Sequence, residues 1–238
     1  MNKSLMQEAL GDAWEQLPPG LQAHYAEGTT TDIGHMDVEF PAFMRPCLWA
    51  LSKMGALVQH KGRQVPTTVV KTVVGKRQVW RRTLQFPNGP VAQFNSFWVL
   101  HGDNQLIEYV NPWLGLQMAV EVRSGRLLYH GVRFVVRLGR WLLPIPEWLA
   151  LGHTTIEERG TGANRFVMDF RRTHPLLGQV FRYSGEFESV AGGVVVPIWC
   201  QKSDRPHRLD PARCSRARPS LGRWQRCRWA RQGAPLAR

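Results

Sequence analysis

QVWRRTLQFPNGPVAQFNSFWVLH, residues 78–101, alternates with period two on both sides of Pro87, Asn88, Gly89 and Pro90. Strand side chains point to opposite faces in turn, and Pro and Gly punctuate turns, so the stretch predicts a β-hairpin. Trp80, Arg82, Leu84 and Phe86 share one face of the first half; Ala92, Phe94, Ser96, Trp98 and Leu100 share one face of the second. Matching these faces predicts the pairs Phe86–Ala92, Leu84–Phe94, Arg82–Ser96 and Trp80–Trp98, with residues 87–91 as the loop. An arginine and a serine then stand opposite each other on an otherwise apolar face.

Outward from the hairpin, Val65 to Val74 is rich in Val and Thr, and Gly75-Lys76 turns it into the first hairpin strand. Downstream, Leu106 to Val110, Trp113 to Val122 and Leu127 to Val136 are separated by Asn111-Pro112 and Ser124-Gly125. Six strands joined by short turns predict an antiparallel meander. Arg137 to Gly152 carries Pro144, Pro146 and Glu147, which exclude a long helix or a central strand. Strands are expected again near Thr154–Glu158, Phe166–Arg171 and Gln179–Phe187. Gly160-Thr161-Gly162 opens no helix and fails as a dinucleotide fingerprint.

Toward the N-terminus, Ser4 and Gln7 have capping-box spacing, and Leu5 to Leu17 follow a helical period stopped by Pro18 and Pro19. Pro19 starts a short second helix, and Gly28 to Val38 reads as loop with one short strand at most. Pro41 to Met54 is helical, with Pro46 marking a kink or the true first turn and Cys47 on the apolar, core-facing side. The fold class is therefore α+β: N-terminal helices packed on a strongly curved, mainly antiparallel sheet, a half-barrel or a barrel.

The net charge of +13 suggests a nucleic-acid binder until it is located, because residues 201–238 carry +9 of it and residues 1–200 only +4. Residues 1–200 are expected to form one globular domain and residues 201–238, without periodicity, a basic disordered tail. Gly192 to Val196 suits an edge strand. Four cysteines without a CxxC pair argue against a disulfide framework or zinc site, so no metal or cofactor is expected. The absence of a signal-like apolar core at the start gives a cytoplasmic expectation.

Several of these residues stand in an order that resembles a bacterial family, domain of unknown function 4166, over roughly Leu17 to Val190. Trp80-x-Arg82 resembles its W-x-R-x-F strand, with Leu84 where Phe is usual, and Phe94-x-Ser96 resembles the strand that follows. Ser124-Gly125-Arg126-Leu127 and Leu143-Pro144 resemble later landmarks. Pro175, Gly178, Tyr183, Gly185 and Phe187 resemble the family's P-x-x-G-x-x-x-x-Y-x-G ending. Members occur alone or C-terminal to a saccharopine-dehydrogenase-like, NAD(P)-binding domain. The resemblance thus implies no activity, but suggests a role as accessory or substrate-binding partner of a separate oxidoreductase.

Candidate chemistry centres on Arg82 and Ser96. The arginine either pairs with Glu108 or Glu121, or anchors an acidic group inside an apolar concavity. Trp80, Trp98 and Tyr183 complete the candidate ligand-binding set, although a tyrosine beside Gly185 also suits a sheet edge. Consecutive Glu157 and Glu158 face opposite ways and cannot act as an acid/base pair. No catalytic set can be assembled from spacing. The expected function is a non-enzymatic module binding an apolar or acidic amphipathic small molecule between sheet and helices. Arg133, Arg137 and Arg140 beside Trp141 to Leu151 permit a membrane-surface contact, but a lid packed over the sheet is the preferred reading. Tail residues Trp224 and Trp229 among arginines do not make a specific nucleic-acid platform.

Overall fold

In the computed structural model, which describes residues 3–192 apart from Asn88, the N-terminal segment forms α1 (Leu5–Leu10), a 3₁₀ turn (Gly11–Gln16) and α2 (Pro19–His24). Strand β1 (Thr30–Glu39) leads through a second 3₁₀ turn (Ala42–Met44) and α3 (Arg45–Lys53) to the meander. The meander runs β2 (Gly62–Val74), β3 (Arg77–Gln85), β4 (Val91–Leu100), β5 (Gln105–Tyr109), β6 (Leu114–Arg123) and β7 (Arg126–Leu138). A short β8 (Trp141–Ile145) and a 3₁₀ turn (Glu147–Leu149) precede β9 (His153–Gly160), β10 (Arg165–His174) and β11 (Gly178–Ala191).

Every neighbouring pair is antiparallel, and the order β6-β5-β4-β3-β2-β1-β11-β10-β9-β7 closes on itself through the β6–β7 hairpin. The sheet is a ten-stranded barrel, and closure leaves those strands no free edge. β8 hangs outside the ring on the second half of β7. Helices α1 and α2 pack at the end of the barrel where β1 starts, and α3 lies at the end where β1 finishes. The barrel interior is the core, holding Trp80, Leu84, Trp98, Met118, Tyr129, Phe166 and Phe187.

The faces of the central hairpin stand as predicted, but its register does not. Arg82 lies opposite Phe94, Trp80 opposite Ser96 and Leu84 opposite Ala92, a shift of two residues. Period two fixes only the face, so registers two residues apart bury the same side chains. The turn selects between them: the Gly89 amide donates to the Phe86 carbonyl at 3.1 Å, making residues 86–90 the loop. Leu100, expected on the inner face, is 40% exposed.

Other expectations need correction. The first helix stops at Leu10 because Gly11 adopts φ 53° and tightens the chain into the 3₁₀ turn, although the Ser4–Gln7 capping box forms at 2.7 and 3.2 Å. Pro46 does sit in the first turn of α3. The preceding 3₁₀ turn shifts the helix phase, so Leu48 is buried while Cys47 and Phe43 are exposed. Residues 30–39, read mainly as loop, are the ten-residue strand that joins β2 to β11. Its inward positions carry Asp32 and Gly34 beside Met36 and Val38, so apolar alternation is interrupted. The expected tail, residues 201–238, and the expected edge strand beyond Gly192 lie outside the described residues.

Gly34 and Gly185 explain the Tyr183-x-Gly185-x-Phe187 pattern. A Cβ at Gly34 would meet the Glu186 carbonyl at 2.0 Å and one at Gly185 the His35 carbonyl at 2.5 Å, and either would meet the Phe187 ring at 2.8 Å, so this ring lies across both strands where side chains are missing. Gly185→Val should overpack this site by about 1–3 kcal/mol and lower the denaturation midpoint. An unchanged midpoint in chemical denaturation would show that the ring moves aside freely.

Candidate functional site

The lumen is not uniformly apolar. α2 inserts His24 and Tyr25 into the barrel, and both meet ionisable groups from the strands. Lys71, on the inward face of β2 with Val65, Thr67 and Val69, is fully buried. Its ammonium donates to the His24 carbonyl, lies 2.7 Å from His24 Nδ1, and pairs with Asp32 Oδ2 at 3.0 Å. Burial works against ionising Asp32, yet His24, Lys71 and the Ser189 hydroxyl, donating at 2.7 Å, hold its pKa down to about 2. His24 Nδ1 also lies 3.0 Å from Asp32 Oδ2, so it faces a donor and an acceptor at once, and the two contacts call for opposite tautomers. Burial and the Lys71 charge lower the His24 pKa to about 4 despite Asp32, so the ring is neutral at pH 7.

From the next residue, the Tyr25 hydroxyl donates to Glu158 at 2.8 and 3.0 Å and accepts from the Tyr129 hydroxyl. Burial pushes the Glu158 carboxyl up to about 7, although Tyr25 and Lys71 pull it down. Both phenols are raised by burial and by the Glu158 charge. Glu157, its neighbour, points outward to Arg126 at 2.8 Å.

A third cluster joins β3, β4 and β5. Arg82 donates to Ser96 at 2.8 Å and to Glu108 at 3.1 Å, and Ser96 donates to the same carboxylate oxygen at 2.7 Å. The guanidinium also lies 4.9 Å from the ring centres of Trp80 and Phe94. Trp80 and Trp98 stack at 4.6 Å, with Tyr25 and Tyr129 around Trp98.

Between these clusters lies a cavity of about 30 Å³, room for about two waters. It is lined by His24, Asp32, Trp80, Arg82, Trp98, Glu108, Glu158 and Tyr183, with an apolar wall that includes Met36, Val69, Ile156, Phe166, Met168 and Phe187. Three of its lining residues hold a ring nitrogen that is buried and unpartnered: His24 Nε2, Trp80 Nε1 and Trp98 Nε1. The two indole nitrogens always carry a proton, so two hydrogen-bond donors at one cavity have no acceptor, and His24 Nε2 is a third unpaired polar group beside them. Farther along β10, Arg172 is buried against the Phe134 and Phe170 rings with Nε and Nη1 also unpartnered. Burial lowers its pKa to about 10, which leaves it charged at pH 7. A larger cleft of about 330 Å³, between residues 52–60 and 90–94, lies at the surface and gathers no comparable set of buried polar groups. Among the described residues, no group of three His, Cys, Asp or Glu is placed to hold a metal ion.

Of the six residues predicted from sequence, Trp80, Trp98, Arg82, Glu108 and Tyr183 line this cavity, and Ser96 bridges two of them. Tyr183 is not at a sheet edge, since β11 sits between β1 and β10. His24, Tyr25, Asp32, Lys71, Tyr129, Glu158 and Arg172 were not among them. A lysine in phase with Val65, Thr67 and Val69 was the readable signal for Lys71; nothing in the sequence pointed to α2 as the plug.

The profile of a family described as a domain of unknown function, DUF4166, matches residues 17–187. The chain belongs to that family. The match starts just before Pro18 and Pro19 and ends at Phe187, so the DUF4166 unit includes the plug helix, β1 to β10 and β11 as far as Phe187. No curated protein and no solved structure matches the chain.

The Glu158 carboxyl gives this DUF4166 barrel a pH signature. Its folded pKa of about 7 lies above the value of about 4.3 for an exposed glutamate. Between the two, the folded chain holds a proton that the unfolded chain has released. Stability therefore falls as pH rises through that window, and the loss is complete above about 7. Glu158→Gln removes the effect, so the variant should gain stability relative to the parent from about pH 5 to about pH 8, on the order of 3 kcal/mol at most. His24 acts in the opposite sense between about 4 and 6.5, but it cancels in the difference. A pH-independent difference in midpoint would show that Glu158 titrates normally.

Proposed function

We propose that the chain is a binding module whose barrel lumen takes the acceptor-bearing head of a small amphipathic molecule. The observation that carries this reading is the pair of unpartnered indole donors, on Trp80 and Trp98, beside the unpartnered Nε2 of His24 at one cavity. Burying a donor without an acceptor costs about 1–3 kcal/mol each, and a core built only for stability has no use for them. A carboxylate fits best: its two oxygens accept from several N–H groups, and Arg172, buried farther along the barrel without an acid partner, adds a positive charge. The cavity admits a head of a few heavy atoms, while Met36, Val69, Ile156, Phe166, Met168 and Phe187 offer an apolar wall to the attached carbons. Glu158 sits in the same lining, and its protonated form leaves room for a second negative charge.

The test is a thermal-shift series with acetate, butyrate and octanoate against the matching alkylamines, which offer donors where the site needs acceptors. The carboxylates should stabilise the protein, more strongly below about pH 7, and the amines should not. Trp80→Phe/Trp98→Phe keeps both rings but removes two N–H groups, and should weaken carboxylate binding by about tenfold or more. Equal shifts for acids and amines, or an unchanged affinity in the double variant, would refute the reading.

A further inference from the structure

The end of the barrel where β1 finishes exposes large apolar side chains from five separate pieces of the chain. All four exposed tryptophans among the described residues are there: Trp49 on α3, Trp113 between β5 and β6, Trp141 at the start of β8, and Trp148 in the 3₁₀ turn before β9. Trp141 is 64% and Trp148 62% exposed, and Leu176, between β10 and β11, is 88% exposed. The segment expected to be a lid over the sheet therefore turns its aromatic side chains outward. The pieces are joined into one rim by hydrogen bonds. His174 bonds to the Trp148 carbonyl at 2.9 Å, the Arg137 amide donates to Trp113 at 2.7 Å, and Asn111 donates to the α3 terminus at Met54 at 3.0 Å. Beneath it, Glu147 is buried against His153 at 2.6 Å and fills the space left by Gly131, which fixes the 3₁₀ turn in its outward pose.

Charge singles out the occupant. Arg133, Arg137 and Arg140 are exposed on β7 and its turn, and none of them pairs with a carboxylate among the described residues. Cations lie over two of the rim tryptophans, Arg140 at 5.4 Å from Trp141 and Lys53 at 5.8 Å from Trp49. The nearby carboxylate Asp169 is already held by Arg171 and Arg182. Residues 201–238 carry +9 and so offer no opposite charge to these arginines.

We infer that this rim docks the barrel on an anionic lipid surface, its tryptophans and leucines entering the interface and its arginines meeting the headgroups. Tryptophan prefers the headgroup boundary, where its ring is half wet, and a basic surface adds attraction to an anionic leaflet. Charged pairs on the barrel wall, such as Arg126–Glu157, stay in water in this pose. No helix among the described residues is long and apolar enough to cross a membrane, so the contact is peripheral or made by strands; the outward rim tryptophans favour a peripheral one. The inference stands on the rim and does not depend on the lumen.

The full chain should be mixed with phosphatidylserine-containing vesicles whose phosphatidylcholine carries brominated acyl chains, which quench only tryptophans at chain depth. Quenching is expected, and Trp141→Ser/Trp148→Ser should remove most of it. Trp224→Ser/Trp229→Ser, in the basic tail, should leave it intact. Arg133→Gln/Arg137→Gln/Arg140→Gln should lower the partition coefficient by about fivefold per arginine removed. Absence of quenching, loss of quenching in the tail variant instead, or equal binding to vesicles without phosphatidylserine would overturn the inference. So would light scattering that shows a dimer dissociated by the rim substitutions, which would assign the surface to a second copy of the chain.

Discussion

One buried ammonium decides how the barrel is filled. Lys71 has no contact with water, and an unpaired charge in that position would cost several kcal/mol. It is offset by Asp32 on β1 and by the carbonyl and ring nitrogen of His24 on α2. The interaction thus ties two adjacent strands to the plug helix. With the helix placed, burial keeps His24 neutral and Tyr25 reaches Glu158 and Tyr129 on the far wall. The cavity and its unpartnered donors are consequences of that placement.

The rest of the barrel is arranged to tolerate this polarity. Glycines at 34 and 185 let Phe187 lie flat against the β1–β11 seam, close to the Asp32 side of the lumen. Arg82, Ser96 and Glu108 satisfy one another across three strands, so that corner is closed electrostatically without help from outside. Arg172 has aromatic faces on both sides but no acid. The lumen therefore combines one fully satisfied ion-pair cluster with groups left unsatisfied, and it is the unsatisfied groups that point to a guest. The exposed aromatic rim lies at the opposite end from the plug, so the two functional proposals occupy different ends of one cylinder.

Most of the strands were legible because strands 65–74 through 127–136 carry clear alternation and turn residues. Alternation also assigned the inward face of Trp80, Arg82, Ser96 and Trp98 correctly. It could not choose between registers two residues apart, a choice made by the Gly89–Phe86 turn bond. Residues 30–39 were obscured because their inward positions hold an aspartate and a glycine whose partners, Lys71 and Phe187, lie 39 and 153 residues away in the sequence. Barrel closure was illegible for the same reason: it rests on β1 meeting β11 and β7 meeting β9, and no local pattern announces a long-range pair. The Glu157-Glu158 doublet showed that one carboxylate must face inward, but not which one, since that depends on β9 lying between β7 and β10.

The account rests on Lys71 and Asp32 acting as a unit, and a double-mutant cycle tests this most directly. Asp32→Asn, Lys71→Met and the double variant would be compared with the parent by chemical denaturation at neutral pH. Each single change strands a buried charge and should cost about 3–5 kcal/mol, while the double change should cost clearly less than the sum of the two. If the two losses simply add, the pair is not coupled, and the plug helix is held in the lumen by something other than the buried ammonium.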